Sequence, residues 1–258
     1  MEELSNPYNE KNIEIKEQNI KEILNTYGIY HSINDNNSPI SLKINFFENQ
    51  LKYLKKNGYK TIDFNEIEKK ENKTIIITFD DGYKDVFYNA LPILKKYNFK
   101  ATCFLVTNFI GDFNNWDKKK TNYKKKELMN EKDINEWMSN GMSVGSHSHY
   151  HSDLTNLSEN NLINELNFSK KILEDKFNNN NNIFCYPYGK VNEKVYSFVK
   201  KIYDKALTTN RSRYNTYTHN THLIPRIDMG KNFSNFKMFL KLNTFYEDIK
   251  YKKNELYL

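Results

Sequence analysis

The sequence predicts a single-domain α/β protein whose parallel strands and crossover helices form a barrel. Short apolar segments typical of buried strands alternate along the chain with longer segments of helical periodicity. There are about seven or eight such units, a number that suits a barrel better than an open sheet. The 258 residues suffice for one domain with a sizeable core, and no internal repeat or linker divides them.

The strands are assigned to short apolar runs bounded by turn residues. The strongest is 74–78, which is rich in the β-branched residues that favour strands. In chain order, the predicted strands are 29–33, 74–78, 101–106, 143–145, 183–186, 206–208 and 223–227.

The helices are assigned where apolar residues recur at helical spacing. The first ends before Gly58, and the clearest amphipathic one follows Ser158, a suitable N-cap. In chain order, the predicted helices are 46–57, 86–97, 127–140, 158–177, 195–202 and 233–240. The expected core positions of helix 158–177 are Leu162, Leu166, Ile172 and Leu173.

The N-terminal residues and the two cysteines bear on location and redox state. Residues 1–27 form a polar lead, and the domain is expected to span 28–258. The lead has no apolar signal-peptide core and no stretch approaches transmembrane length, which predicts a cytoplasmic location. The two cysteines, Cys103 and Cys185, lie in apolar strand-like segments and are interpreted as small buried residues without a disulfide framework.

The chain carries a net charge of +7, from 39 basic and 32 acidic residues. This excess is compatible with nucleic acid or an anionic glycan, but no nucleic-acid-binding motif accompanies it. The lysine runs 118–120 and 124–126 sit in a polar stretch and are interpreted as a solvated loop. No nucleic-acid partner is therefore expected.

Two adjacent carboxylates, Asp80 and Asp81, follow the strand 74–78 and precede Gly82. The end of a buried strand is where α/β folds bind ligands and carry out reactions. Because neighbouring residues there point in different directions, one carboxylate can ligate a metal ion while the other moves protons. Taken alone, Asp-Asp-Gly is also a common turn sequence.

Three of the six histidines, His147, His149 and His151, follow the strand 143–145. His-x-x-x-His spacing lets two rings converge on one ion, and neutral imidazoles with one carboxylate suit zinc or a similar divalent ion. His149, between them, is expected to lie behind the ligands or at the surface. A surface histidine patch is the alternative, but both motifs in one chain, each after a short apolar strand, favour a catalytic metal site with open positions.

These motifs resemble those of the polysaccharide deacetylases, the family also called carbohydrate esterase family 4 or the NodB-homology domain. Residues 74–111 are similar to the first motif region of the family, 147–154 to the second and 184–189 to the third. The resemblance extends over about 28–229 and implies a distorted (β/α) barrel of about seven strands in a single domain.

The resemblance also implies roles for individual residues. Asp81, His147 and His151 match the metal ligands, and Asp80 matches the base that takes a proton from the attacking water. Ser148 matches a residue that braces the histidine loop by hydrogen bonding. A divalent metal ion is the expected cofactor, zinc first, with cobalt, nickel or manganese as alternatives.

The third motif, 184–189, adds substrate contacts by resemblance. The backbone N–H of Tyr188 matches a donor to the oxyanion of a tetrahedral intermediate. The rings of Tyr186 and Tyr188 offer stacking surfaces for a sugar, although buried tyrosines are equally ordinary core residues.

One departure from the family pattern concerns the general acid. Many members carry it as a histidine in a Leu-x-His motif near the C-terminus, but no histidine follows Arg226 here. A subset resembling poly-N-acetylglucosamine deacetylases is circularly permuted, with that strand at the N-terminus. Residues 29–31 fit such a strand, so His31 is predicted to be the general acid. A Tyr-His pair in an ordinary core strand is the alternative.

A second departure concerns the partner of the base. Cys185 occupies the position where many members carry an arginine that pairs with the base aspartate, and a neutral thiol cannot replace that ion pair. Arg226, in the strand 223–227, is predicted to reach Asp80 from another direction. The alternative is a surface arginine.

Residues and resemblance together predict a metal-dependent hydrolase that removes N-acetyl groups from an amino-sugar glycan or glycan precursor. Alternative substrates carry another acyl group, such as formyl, or are small sugar conjugates. A non-catalytic carbohydrate-binding protein on the same fold is a further alternative, disfavoured because binding alone does not require a free base beside the metal ligands. The sequence leaves the oligomeric state open.

Overall fold

A nine-stranded sheet lies at the centre of the computed structural model, which describes residues 24–36, 38–66, 73–118, 124–180, 182–215, 220–231 and 234–250. In chain order, strands β1 to β11 are Leu24–Tyr30, Ser32–Ile33, Ser41–Leu42, Lys60–Thr61, Thr74–Phe79, Ala101–Leu105, Ser143–Ser146, Ile183–Cys185, Lys205–Leu207, Tyr214–Asn215 and Ile227–Asp228. Strands β2 and β3 form a separate two-stranded pair.

The main sheet has the strand order β10-β1-β5-β6-β7-β8-β9, with β4 also paired to β5 and β11 to β1. These pairs are parallel except for the antiparallel pair β1–β10. In the described part of the chain, the sheet curls into a half-barrel within a single α/β domain, which confirms the predicted fold class. Because the strands run parallel, their carboxyl ends meet at one edge, where Tyr30 pairs with Phe79 and Leu105 with Ser146.

Helices pack on the sheet through their apolar faces. In chain order, α1 to α7 are Ile44–Lys56, Leu91–Tyr97, Glu131–Ser139, Glu159–Phe177, Glu193–Ile202, Asn235–Asn243 and Tyr246–Lys250. A π-helical turn, Val86–Ala90, leads directly into α2. No helix in the part of the chain that the structure describes is both long and apolar enough to cross a membrane.

Helix α4 shows how closely helical periodicity predicts burial. Leu162, Leu166 and Leu173 are buried as predicted, and Ser158 caps the helix by accepting the N–H of Asn161. Ile172 is only partly buried, and its assignment to the core is wrong. The buried stripe instead includes Ser169, whose hydroxyl lies 2.6 Å from that of Ser146, so part of the helix–sheet contact is polar.

The predicted helix 127–140 starts too early. Residues 127–128 form isolated bridges with Phe113 and Tyr83. Helix α3 begins only after Asn130, which accepts the N–H of Asp133 in a capping box. Tertiary pairing and the cap therefore override the helical propensity of these residues.

The predicted strand 223–227 is mostly irregular. Ile224 makes one bridge to Leu207, the following proline has no N–H to donate, and only Ile227–Asp228 pairs with β1. The predicted helix 233–240 corresponds to α6, and residue 233 lies outside the described residues. Of the polar lead, 1–23 also lie outside them, whereas 24–27 belong to β1.

Candidate active site and metal centre

The adjacent carboxylates leave the end of β5 in different directions. The N–H of Asp80 extends the pairing of β5 with β1 by donating to the carbonyl of Tyr30 at 2.9 Å. Asp81 then adopts φ +76° and Gly82 φ +77°, so the chain turns through the left-handed region, which is strained for a residue other than glycine. Both carboxyl groups are buried, but each faces different partners.

Asp81 converges with two imidazoles. Its Oδ1 lies 3.4 Å from Nε2 of His147 and 3.3 Å from Nε2 of His151. Two donors that share one tetrahedral zinc ion at about 2.0–2.1 Å stand about 3.3 Å apart, so these separations match those around a single ion. Nδ1 of His147 lies 2.8 Å from the carbonyl oxygen of Cys185, and this contact keeps Nε2 directed at Asp81.

The donor set therefore fits a divalent metal ion. The three ligand atoms lie within 4.8 Å of one another on buried residues, and two nitrogens with one carboxylate oxygen suit zinc and its neighbours. A second group of potential ligands, Asp80, His147 and Cys185, suits a cation less. The guanidinium of Arg226 already contacts both Asp80 and Cys185 and would repel a metal ion there.

The loop that carries the two histidines is held in a strained conformation. Ser148 and His151 have φ values of +65° and +58°, which non-glycine residues adopt only where the surroundings impose them. The Ser148 hydroxyl accepts the N–H of His151 at 3.0 Å, and its carbonyl accepts the N–H of Thr107 at 3.2 Å. The ring of His149 points away from the ligands, with Nδ1 2.9 Å from the Thr107 hydroxyl.

Glu165 is a site residue that sequence reasoning missed. This buried residue of α4 accepts the N–H groups of His149 and Tyr150 at 2.8 and 2.9 Å through Oε2, and the Ser152 hydroxyl at 2.6 Å through Oε1. Its place three residues after Leu162, on the buried stripe of an amphipathic helix, is the sequence signal that could have identified it. The carboxylate ties α4 to the histidine loop.

Replacing Glu165 with Gln should weaken metal binding by about 10- to 100-fold, as expected for groups that orient ligands. The amide keeps one acceptor oxygen, but its NH2 group faces donors where Glu165 had a second acceptor. Competition with a chromophoric chelator measures the affinity. Glu174→Gln, on the exposed side of α4, is the matched control. Equal affinity in both variants would show that the loop holds its own conformation.

Arg226 reaches Asp80 from the segment before β11. Its Nη1 and Nη2 donate to the two carboxylate oxygens of Asp80 at 2.7 Å each, and its Nε donates to the Thr208 carbonyl at 2.8 Å. The arginine is fully buried, and a bidentate pair of this kind is the strongest form of such a contact. Nη2 also lies 3.1 Å from Sγ of Cys185, whose pKa is raised by burial, so the thiol stays neutral beside the ion pair.

Electrostatics keep both carboxyl groups ionised. Burial works to raise the pKa of Asp80, but the charge and hydrogen bonds of Arg226 outweigh it, and the pKa lies below its ordinary value. Burial also works to raise the pKa of Asp81. Hydrogen bonds from His147 and His151 outweigh it and bring this pKa well below the ordinary value. Asp80 can therefore accept a proton, while Asp81 can ligate a cation.

His31 lies at the same sheet edge. The predicted strand 29–33 is interrupted at this residue, which stands between β1 and β2. The carbonyl of its neighbour Tyr30 accepts the N–H of Asp80 at 2.9 Å. His31 also lines a cavity of about 460 Å³.

Two aromatic rings flank His151. Trp116 stacks on the imidazole with centroids 4.8 Å apart, and Tyr188 meets it edge-on at 4.5 Å. Tyr188 adopts φ +60° and leaves 42% of its surface exposed, so its ring forms part of the mouth of the site. Trp116 comes from the polar stretch 112–118, where a single tryptophan is the only sequence signal for a site wall.

Tyr186 does not line the site, and its prediction as a stacking surface is wrong. The side chain is fully buried, its ring packs on Phe184 at 5.3 Å, and its hydroxyl donates to the carbonyl of His222 at 3.0 Å. Successive residues of an extended segment point to opposite faces, so Tyr186 faces the helices, whereas Cys185 faces Asp80. An enclosed ring has no surface for a sugar.

A half-barrel with a buried carboxylate beside an Asp-His-His donor set fits a hydrolase of the deacetylase class. Residues 67–206 match the family model described as polysaccharide deacetylase. The chain belongs to the polysaccharide deacetylase family, and the predicted membership and enzyme class, a hydrolase of the amide bond in N-acetyl groups, are confirmed.

Individual relatives extend this match. The poly-β-1,6-N-acetyl-D-glucosamine N-deacetylase of Staphylococcus aureus is 30% identical over 222 residues, which cover 79% of this chain and 73% of that protein. YxkH of Bacillus subtilis is 33% identical over 189 residues, 70% of this chain but only 63% of YxkH, so the match spans less than two thirds of that relative. The Streptococcus pyogenes deacetylase PplD, solved with acetate, shares the fold with a TM-score of 0.75 at 24% identity, covering 86% of this chain and 99% of PplD.

Proposed function

We propose that this protein is a metal-dependent N-deacetylase that removes acetyl groups from N-acetylglucosamine units of a polysaccharide. The observation that carries the proposal is the buried, ionised carboxylate of Asp80, paired with Arg226 beside the donor set of Asp81, His147 and His151. A protein that only bound carbohydrate would not need a proton acceptor next to three potential metal ligands.

Asp81, His147 and His151 would hold the ion, for which zinc is the first candidate. When bound, the ion would polarise the acetamide carbonyl and favour ionisation of the attacking water. The two nitrogen donors disfavour magnesium and calcium, which prefer oxygen ligands. Cobalt, nickel and manganese stay as alternatives, because the same donors accept them.

The protein side chains then divide the proton transfers. Asp80 accepts a proton from the water that attacks the acetamide carbon, as the C–O bond forms. The backbone N–H of Tyr188 is proposed to donate to the oxyanion that results. His31 donates a proton to the nitrogen as the C–N bond breaks, so the products are acetate and a free amino sugar. Arg226 keeps Asp80 ionised and in place before the reaction.

The proposed substrate is an N-acetylglucosamine polymer. The relative from Staphylococcus aureus is named for poly-β-1,6-N-acetyl-D-glucosamine. Fold-level similarity does not by itself establish a substrate. A glycan precursor or a different acyl group is therefore kept as the alternative to be tested.

Acetate release tests the proposal directly. The protein is stripped of metal, reloaded with zinc, cobalt, nickel or manganese, and incubated with chitooligosaccharides and with β-1,6-linked N-acetylglucosamine oligomers. Release that requires metal and disappears in His147→Ala would support the deacetylase mechanism. Preference for one linkage would then identify the polymer.

Two outcomes would change the conclusion. Tight binding of metal without acetate release from either glycan would favour another acyl group, which N-formyl and small-conjugate substrates would test. Absence of both metal binding and acetate release would overturn the proposal and favour a carbohydrate-binding protein, which glycan affinity measurements would detect.

His31→Ala should lower the rate of acetate release by about 10²- to 10⁴-fold, the usual contribution of a general acid, while the metal content stays that of the parent protein. Within the described part of the chain, this histidine belongs to no group of potential metal ligands, so its loss should affect proton donation and not metal binding. His149→Asn is the control, because that ring contacts Thr107 rather than the ligands. Full acetate release by His31→Ala would exclude this histidine as the proton donor.

A further inference from the structure

A buried polar cluster lies directly behind His31. It is built around the carboxylate of Asp85, four residues after the potential metal ligand Asp81. Oδ2 of Asp85 accepts the hydroxyl of Ser32 at 2.7 Å and pairs with Nζ of Lys126 at 3.0 Å, and Oδ1 accepts the N–H of Ile33 at 3.2 Å. One carboxylate therefore joins the segment after His31 to the turn that carries Asp80 and Asp81.

Lys126 completes the cluster from a third segment. Its ammonium group donates to Ser32 and, at 3.0 Å, to the hydroxyl of Ser41, and it lies over the ring of Tyr83 at 5.1 Å. Its side chain is only 9% exposed and that of Asp85 only 12%. The interpretation of 124–126 as a solvated loop is therefore wrong for Lys126, because the tertiary fold turns this lysine inward onto Asp85.

Hydrogen bonds hold the backbone on both sides of His31. On the preceding side, Tyr30 is held by the N–H of Asp80; on the following side, Ser32 and Ile33 are held by Asp85. His31 itself lies between the two strands rather than in either ladder, so these flanking bonds determine where its backbone sits. A buried ion pair adds little to stability compared with an apolar pair, whereas a fully bonded polar network imposes one geometry.

We infer that Asp85, together with Lys126, is a positioning residue for the proton donor. It would hold His31 at the distance from the Asp80–Asp81 turn that delivers a proton to the leaving nitrogen. The inference rests on the proposed function with His31 as the general acid. Misplacement of a catalytic group by about 1 Å can lower a rate by about 100-fold, so loss of these contacts should be visible in kinetics.

Two substrates with different leaving groups can distinguish a positioning role of Asp85 from a merely structural one. An amine must be protonated as the C–N bond breaks, whereas 4-nitrophenolate, a weakly basic group, leaves without a proton. Hydrolysis of an acetylated glucosamine oligomer therefore depends on His31, and hydrolysis of 4-nitrophenyl acetate at the same centre does not. The ratio of the two kcat values reports on the proton donor alone.

Asp85→Asn should lower kcat for the acetamide by about 10- to 100-fold, lower kcat for the ester far less, and leave the metal content unchanged. In a His31→Ala background, the same substitution should add little to the loss, because its effect acts through His31. Ser32→Ala, which removes one bond to Asp85, should show the same selectivity with a smaller effect. Asp175→Asn, on the exposed side of α4, is the matched control.

Each other outcome decides against the inference. Equal losses on amide and ester, or losses that multiply with those of His31→Ala, would overturn it and make Asp85 a structural residue. If Asp85→Asn fails to fold, Ser32→Ala applies the same two criteria. If the parent protein releases acetate and His31→Ala does not lower that rate, the proton-donor assignment fails first. A parent protein that hydrolyses no acetamide contradicts the proposed function itself.

Discussion

Asp80→Asn should reduce acetate release by about 10²- to 10⁴-fold without removing the metal ion. Asn has nearly the same shape as Asp, but it cannot accept a proton from the attacking water. The potential ligands Asp81, His147 and His151 are separate residues, so metal content should match that of the parent protein. The rate of acetate release and the bound metal, measured on the same preparation, give both quantities.

The comparison of Asp80→Asn with the parent protein needs a control for the loss of one negative charge. Asp175→Asn changes the same charge at an exposed position of α4 and should keep the parental rate. A variant at position 80 that retained substantial acetate release would mean that another group accepts the proton. Loss of both metal and activity would instead show that Asp80 supports the metal site, and the division of roles between the two carboxylates would be wrong.

Arg226→Met should destabilise the folded protein by about 3–5 kcal/mol, the usual cost of leaving one partner of a buried ion pair unpaired. Both side chains are almost fully enclosed, and both guanidinium Nη groups contact Asp80 at 2.7 Å. Removal of the cation leaves a buried carboxylate with the neutral Cys185 thiol beside it. Urea unfolding of the metal-free protein measures the loss.

The double variant Asp80→Asn/Arg226→Met provides the test of mechanism. If the cost arises from an unpaired charge, removal of both partners should recover much of the stability lost in Arg226→Met. No recovery would mean that Arg226 acts mainly through packing and its bond to Thr208.

The loss of stability caused by Arg226→Met should depend on pH. The pKa of Asp80 lies below its ordinary value of 3.8 in the folded protein, so its contribution to stability is present above that pH and is lost as the pH falls through the folded-state pKa. In Arg226→Met, burial acts without the opposing charge and favours the protonated form of Asp80. The stability difference between variant and parent should therefore shrink as the pH falls, first through the raised pKa of Asp80 in the variant, above 3.8, and then through its lowered pKa in the parent, below 3.8.

Most of the fold could be predicted because its signals are local. The β-branched run of β5 and the amphipathic stripe of α4 each arise from residues close together in the chain, and their periodicity is set by backbone geometry. One error occurs where distant segments compete with that local preference. Residues 127–128 pair with Tyr83 and Phe113 instead of extending α3. The error at Tyr186 has a local cause instead, because strand alternation turns its ring to the core.

The sequence by itself determined which residues could form the site. Asp80 and Asp81 are adjacent, and His147 and His151 have metal-ligand spacing, so short stretches of chain carry both motifs. Only the tertiary structure decided which distant residues support them. Arg226 is 146 positions from Asp80 and Lys126 is 94 from Ser32; they meet because the order of parallel strands brings their segments to one sheet edge. The physical reason is that local propensity acts over a few residues, whereas the pairing of buried charges depends on which strands become neighbours.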